Sequence, residues 1–287
     1  MTDYKPDKIQ KLSCGSIIQH GSFNNRIYLI KTGKNVTTKL AKDLIELARK
    51  NKYTKIFAKV PENISQDFIK AGYIKEAHIP GLFNEEEDVL FLGYFLDSKR
   101  KIEKAKEKVE KVMKLARKKI KHRPQKVTLP KDAILRPCNK RDAERMSKIY
   151  KKVYMSYPFP IDDPGYIAKT MEGDFDYFCI EKDNKIVALS SFELFKNSNS
   201  VEMTDFATLP DFRGNGYANI LLRTMESQTR KKKFKTAFTV ARAVSPGMNI
   251  TFAKNGYIYG GRLTNNTNIS GNIESMNVWY KKLSKDT

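Results

Sequence analysis

A glycine-bearing hexapeptide, Arg213-Gly214-Asn215-Gly216-Tyr217-Ala218, lies between a strand-like segment, Ser200–Leu209, and an amphipathic helical run from Gly216 to Lys231. A strand that feeds a helix through a short glycine turn restricts the chain to α/β-type layering. The start of such a helix carries N–H groups without intrahelical acceptors and a partial positive charge. A pyrophosphate can sit there. Gly214 and Gly216 let the backbone turn and approach phosphates closely, and Ala218 is small enough not to block that approach.

The flanking elements extend this reading. Between residues 131 and 284 the pattern predicts β-α-α-β-β-β-α-β-α-β-β. It opens with a strand over Ala133–Pro137 and a helix capped by Asn139 that reaches Tyr154. Pro164 starts a second helix. Two strands, Phe175–Lys182 and Lys185–Phe195, meet at Asp183-Asn184, a hairpin signal. Strands at Ser200–Leu209 and Phe234–Ala243 flank the hexapeptide helix. A short helix over Gly247–Asn255 then ends at Gly256, and strands follow over Tyr257–Leu263 and Ser275–Leu283. Residues 1–97 form a smaller α/β domain. Its elements are strands at Ile27–Ile30 and Ile56–Val60, a helix over Thr38–Lys50, a helix capped by Ser65 that ends at Gly72, and strands at Tyr73–His78 and Val89–Leu96. Residues 98–124 read as one long basic amphipathic linker helix, with Ile102, Ala105, Val109, Val112, Ala116 and Ile120 on its apolar stripe and Pro124 at its end.

Composition bounds the partners. The 287 residues hold 54 Lys and Arg against 32 Asp and Glu, a formal charge of +22, which favours an anionic partner such as nucleic acid, anionic lipid or a polyphosphate cofactor. A compositional bias toward Lys, Asn and Ile produces the same charge. Three scattered cysteines and three scattered histidines lack metal-ligand spacing, so no metal is expected. No apolar run is long enough for a membrane span, and the first residues lack the apolar region of a signal peptide. The reading is a cytoplasmic protein without a membrane partner.

The element order, with Arg213, Gly216 and Ala218 in the spacing [Arg/Gln]-x-x-Gly-x-[Gly/Ala], resembles the GNAT superfamily of N-acetyltransferases. Phe252-Ala253-Lys254-Asn255-Gly256-Tyr257 resembles that superfamily's second signature, aromatic-x-Lys-x-Gly-aromatic. The resemblance implies a mostly antiparallel mixed sheet with two splayed parallel strands and acetyl-CoA as co-substrate. It places the cofactor on Arg213 to Ala218, on the backbone near Ala207, Thr208 and Leu209 as an added strand, and near Asn249 and Phe252. Many members carry a Tyr where this chain has Phe252, so the acid for the departing thiolate is sought at Tyr257 or Tyr217, or the thiolate leaves unassisted.

The chemistry then needs a base. An amine of pKa roughly 10.4 is only about one part in a thousand neutral at pH 7, so its proton must be taken before attack. Glu202 stands eleven residues before Arg213, where some superfamily members carry a catalytic Glu. Asp205 lies on the opposite face by strict alternation, and a bulge, frequent in this strand of the superfamily, would reverse that.

The whole chain resembles the beta-lysine N-acetyltransferase family. The resemblance rests on Val153-Tyr154-x-Ser156-Tyr157-Pro158-Phe159-Pro160-Ile161, on Glu202-Met203-Thr204-Asp205 leading into Thr208-Leu209-Pro210, and on Arg213-Gly214-x-Gly216. Ala71-Gly72-Tyr73 fits an N-terminal region that resembles a degenerate half of the same fold without the phosphate loop. It implies acetyl transfer to the terminal amine of β-lysine, a small-molecule acceptor formed by a lysine 2,3-aminomutase, to give Nε-acetyl-β-lysine, a compatible solute. Carboxylates for two ammonium groups are sought at Asp162, Asp163 and Glu193, with Tyr154 and Tyr157 beside them. Two other readings stay open: acetylation of a polyamine, lysine or protein lysine, and a nucleic-acid-binding protein with a vestigial transferase domain. Nucleic acid is not the expected partner, since no recognition signature accompanies the charge. The basic connector leaves a homodimer open.

Overall fold

The computed structural model describes residues 6–33, 39–120 and 127–283. Among them the first half contributes β1 (Lys8–Lys11), β2 (Ile17–Gly21), β3 (Arg26–Lys31), α1 (Leu40–Lys50), β4 (Lys55–Pro61), α2 (Glu62–Lys70), β5 (Ile74–Phe83) and β6 (Glu87–Phe95). After α3 (Lys106–Ile120) come β7 (Ala133–Pro137), α4 (Ala143–Val153), α5 (Pro164–Thr170), β8 (Phe175–Lys182), β9 (Lys185–Phe195) and β10 (Ser200–Thr208). The chain continues through α6 (Tyr217–Lys231), β11 (Thr236–Arg242), α7 (Pro246–Lys254), β12 (Ile258–Ile269) and β13 (Asn272–Lys282). The element order expected between 131 and 284 is the order found.

All thirteen described strands join one sheet, in the order β1-β2-β3-β4-β6-β5-β12-β13-β11-β10-β9-β8-β7. Only β3–β4 and β10–β11 run parallel. The run β1 to β6, with α1 and α2 after its third and fourth strands, has the connectivity of β8 to β13 with α6 and α7. The sheet order of one run mirrors the other about the β5–β12 contact, where Gly261 pairs with Ala77. Gly261 has φ of +142°, and a Cβ there would stand 2.6 Å from the Ala77 Cα, so this seam requires glycine.

Alternation sorts the side chains. In the first half Ile27, Leu29, Ile56, Ala58 and Val60 pack beneath α1 and α2. The opposite, helix-free face, with Phe57, Val89 and Phe91, meets Phe238, Leu263, Met276 and Val278 of the second half in a shared core. Phe91 and Phe238 touch edge to face at 6.5 Å between ring centroids. The two halves thus close on each other across the concave side of one sheet.

Several local expectations change. The linker helix is interrupted: Ser98–Lys101 forms a 3₁₀ turn, Ile102 is extended and exposed, and α3 starts at Lys106. Asn265 donates its amide to the carbonyls of Arg100 and Ile102, which a continuous helix would use. The buried Arg100 guanidinium is held by Asn24, Asn25, Thr54 and Asn265. Val109, Val112, Met113 and Ala116 of α3 are buried as the stripe predicts. Pro124 lies outside the described residues. Ser65 is not a cap: α2 starts at Glu62 behind Pro61, and the Ser65 hydroxyl donates back to the Glu62 carbonyl at 2.7 Å. β5 and β12 outrun their expected ends because bulges carry them onward past interruptions in register.

Candidate active site

β10 and β11 pair only over Ser200–Glu202 and Thr236–Phe238, although both strands continue. Beyond Glu202 they diverge and leave a cleft of about 590 Å³. Thr204, Asp205 and Thr208 line one wall, and Thr239, Val240 and Arg242 the other. At the mouth stand Arg213, Gly214 and the first turn of α6, including Tyr217 and Ala218. Gly214 has φ of +84° and Gly216 +73°, so both positions favour glycine on backbone grounds. Space closes further at Gly216, where a Cβ would meet Val127 Cγ1 at 2.7 Å. Arg213 donates to the Thr208 carbonyl at 3.3 Å, and Asn215 to that of Phe212 at 3.0 Å. This loop ties strand end to helix start, so the first turn of α6, whose N–H groups lack intrahelical acceptors, opens on the cleft.

A bulge sets the carboxylates. Thr204 pairs with Ser191 and Ala207 with Leu189, so one extra residue enters β10, and Asp205 takes φ of +53°. Asp205 is thereby turned to the face that carries Glu202 and Thr204. Its carboxylate accepts from the hydroxyls of Ser191 at 2.6 Å, Tyr157 at 2.7 Å and Thr204 at 3.3 Å. Burial raises its pKa above the ordinary Asp value against the pull of these three donors. Glu202 and Glu193 stand directly opposite each other on β10 and β9. Burial, opposed by Lys59 and reinforced by neighbouring carboxylates, pushes Glu202 up to about 8 and Glu193 up to about 7.

The Tyr157–Asp163 loop is only partly brought to this place. Tyr154 lines the cleft and donates to the Phe206 carbonyl at 2.5 Å, and Tyr157 lines it beside Asp205. Gln19 of β2 holds the loop through the Pro158 carbonyl at 3.0 Å, and Ser156 binds Asn268 at 3.1 Å. Asp162 is exposed, and Asp163 caps α5 through Gly165 N at 2.8 Å; neither borders the cleft. Asn249 is fully buried. It donates to the Arg242 and Ser245 carbonyls and accepts from Asn277 and Trp279, so its polar atoms hold the α7 turn rather than face the cleft. Phe252 borders the cleft and packs edge to face on Phe206 and Tyr257. Tyr217 also borders it, whereas Tyr257 is buried behind Phe252 beside Glu226. Arg242, gripped by Glu274 at 2.6 and 2.8 Å, and Ser245 border the cleft without having been singled out from sequence. Their positions depend on where β11 separates from β10, which no local pattern encodes.

Residues 143–257 match the Acetyltransferase (GNAT) family. Over 93% of its length the chain is 42% identical to the Beta-lysine N(6)-acetyltransferase of Methanococcus maripaludis, covering 96% of that protein. It is 32% identical to the protein of the same name from Methanosarcina mazei, over 85% of this chain and 97% of that one. It is 28% identical to the N-acetyltransferase YodP of Bacillus subtilis, over 93% and 96% of the two chains. A glycine loop at the mouth of a splayed parallel pair, with these likenesses over nearly the whole length, identifies an acetyl-CoA-dependent N-acetyltransferase, and the chain belongs to the beta-lysine N-acetyltransferase family of the GNAT superfamily.

Proposed function

We propose that the chain moves the acetyl group of acetyl-CoA to the terminal amine of β-lysine. The observation that carries this reading is the bulge that turns Asp205, which borders the cleft, to the face where Glu202 and Glu193 stand opposite each other. Three carboxylates suit an acceptor with two ammonium groups. The names of the Methanococcus and Methanosarcina relatives agree with that acceptor. Acetylation removes one positive charge and leaves a neutral zwitterion, a fitting form for a cytoplasmic compatible solute.

In this reading the thioester supplies an electrophilic carbonyl carbon, and the protein supplies position and proton transfer. The first turn of α6, with Arg213, Gly214 and Gly216, holds the pyrophosphate. The backbone of Ala207, Thr208 and Leu209 pairs with the pantetheine arm. Glu202 is the general base. Among the described residues no hydrogen bond or ion pair engages its carboxylate, and its raised proton affinity suits it to take a proton from an ammonium. Asp205, with three donors already on it, fixes Tyr157 and adds negative field for the acceptor.

Two outcomes follow. In a thiol-release assay, β-lysine should exceed lysine, spermidine and a basic peptide in kcat/KM; turnover of the peptide alone would overturn the acceptor assignment. Gly216→Ala should raise the KM for acetyl-CoA about tenfold or more, because the residue is strained at positive φ and meets Val127. The KM for the amine should stay within about twofold, since a loop at the mouth does not reach the acceptor.

A further inference from the structure

The acceptor face holds two groups from the other half of the chain. Tyr28 of β3 and Lys59 of β4 project from the helix-free face of the first half, opposite to Leu29 and Val60, which pack under α1 and α2. Both are half-buried. The Lys59 ammonium lies 4.2 Å from the ring centroid of Phe195 and 5.4 Å from that of Phe238. Phe195 is two residues beyond Glu193, and Phe238 is the parallel partner of Glu202. The Tyr28 ring stacks on Phe57 at 4.6 Å, within the core shared by the halves.

Charge links these groups. Glu202 and Glu193 oppose the lowering of the Lys59 pKa by burial, and both add to the raising of the Tyr28 phenol. Tyr28 therefore keeps its proton and remains a donor. Yet among the described residues no ion pair or hydrogen bond joins the side chain of Lys59, Glu193, Glu202 or Tyr28 to a partner within the protein. Two carboxylates directly opposed on adjacent strands destabilise a sheet, and the half-buried Lys59 ammonium, resting on two aromatic rings, makes no direct ion pair among the described residues. Such an arrangement costs stability and fits a ligand that brings the missing charges.

We infer that the first half of the chain completes the acceptor site: Lys59 receives the carboxylate of an amino-acid acceptor, with Tyr28 as a further donor, while Glu193 receives its non-reacting ammonium. This rests on the acetyltransferase reading of the cleft and adds to it a discriminating element. An amine without a carboxylate would set its own cation against Lys59, so the same side chain attracts the right acceptor and repels polyamines.

The test compares β-lysine with 1,4-diaminopentane, the same skeleton without the carboxylate, on wild type, Lys59→Met and Lys59→Arg. Lys59→Met keeps a long apolar stem against Phe195 and Phe238, and its melting temperature reports folding. Expected for Lys59→Met is a fall in kcat/KM for β-lysine on the order of 100-fold, mostly through KM, with a rise for the diamine. Lys59→Arg should recover most of the preference. Equal losses on both acceptors, or no change in their ratio, would overturn the role of Lys59 while leaving the acetyltransferase reading intact. A wild type that acetylates only the carboxylate-free amine would overturn the amino-acid acceptor together with the role of Lys59, and one that acetylates neither would overturn the acetyltransferase reading.

Discussion

Glu202→Gln should lower kcat for amine acetylation about 10²- to 10⁴-fold at neutral pH, the range removed with a general base. Gln keeps the shape of Glu202 and its place opposite Glu193, so the loss reports proton transfer. The pH profile makes the assignment specific. Burial pushes the Glu202 carboxyl up to about 8, so kcat/KM of the wild type should climb through neutrality and flatten above that value. Glu202→Gln should lack this limb. Stability moves the other way. The folded state holds a proton on Glu202 that the unfolded chain has lost above the ordinary Glu range, so the group lowers stability as pH rises from about 4.5 toward 8. The melting temperature of Glu202→Gln relative to wild type should therefore increase from pH 5 to pH 8. Full activity in Glu202→Gln with loss in Asp205→Asn would move the base to Asp205.

The second large effect concerns the seam between the halves. The Lys55 ammonium lies 2.7 Å from Glu76, with side chains 0% and 3% exposed. Lys55 also donates to the Thr264 carbonyl at 2.7 Å, and Glu76 accepts from the Thr264 amide at 2.6 Å. Burial lowers Lys55 to about 8 against the pull of Glu76. These contacts pin β4 and β5 of one half to the bulged stretch of β12 in the other. Glu76→Ala leaves a buried ammonium without its counterion and should cost about 3–5 kcal/mol. The double change Lys55→Met, Glu76→Leu should recover most of that, because two apolar side chains of similar size require no charge compensation. Urea unfolding of both variants checks this. A cost below about 1 kcal/mol for Glu76→Ala would mean that water reaches the pair.

The parts of the site that depend on neighbouring residues were legible in the sequence. Gly214 and Gly216 announce a backbone turn before a helix, and the strand and helix on either side follow from periodicity. The expected element order of the second half holds for the same reason. The acceptor face was half legible. Alternation puts Glu202 and Asp205 on opposite faces, and the extra residue in β10 that reunites them depends on pairing with Ser191 and Leu189 of another strand. Asp163 reads equally well as a substrate ligand or a helix cap, and its hydrogen bond to Gly165 identifies the cap. Lys59 and Tyr28 are ordinary strand residues far from Glu193 and Glu202 in sequence; only the folding of one half-sheet over the other brings them near those carboxylates. The break at Ile102 was hidden similarly, since Asn265 imposes it from a distance.

Acetyl transfer to β-lysine is tested by one reaction of the purified chain with acetyl-CoA and that amine, with the product examined by NMR and the rates compared with those for lysine and spermidine. One acetyl group on the terminal nitrogen is expected, transferred with a higher kcat/KM than to lysine or spermidine. Acetyl-CoA left intact in the presence of β-lysine, lysine and spermidine alike would contradict it.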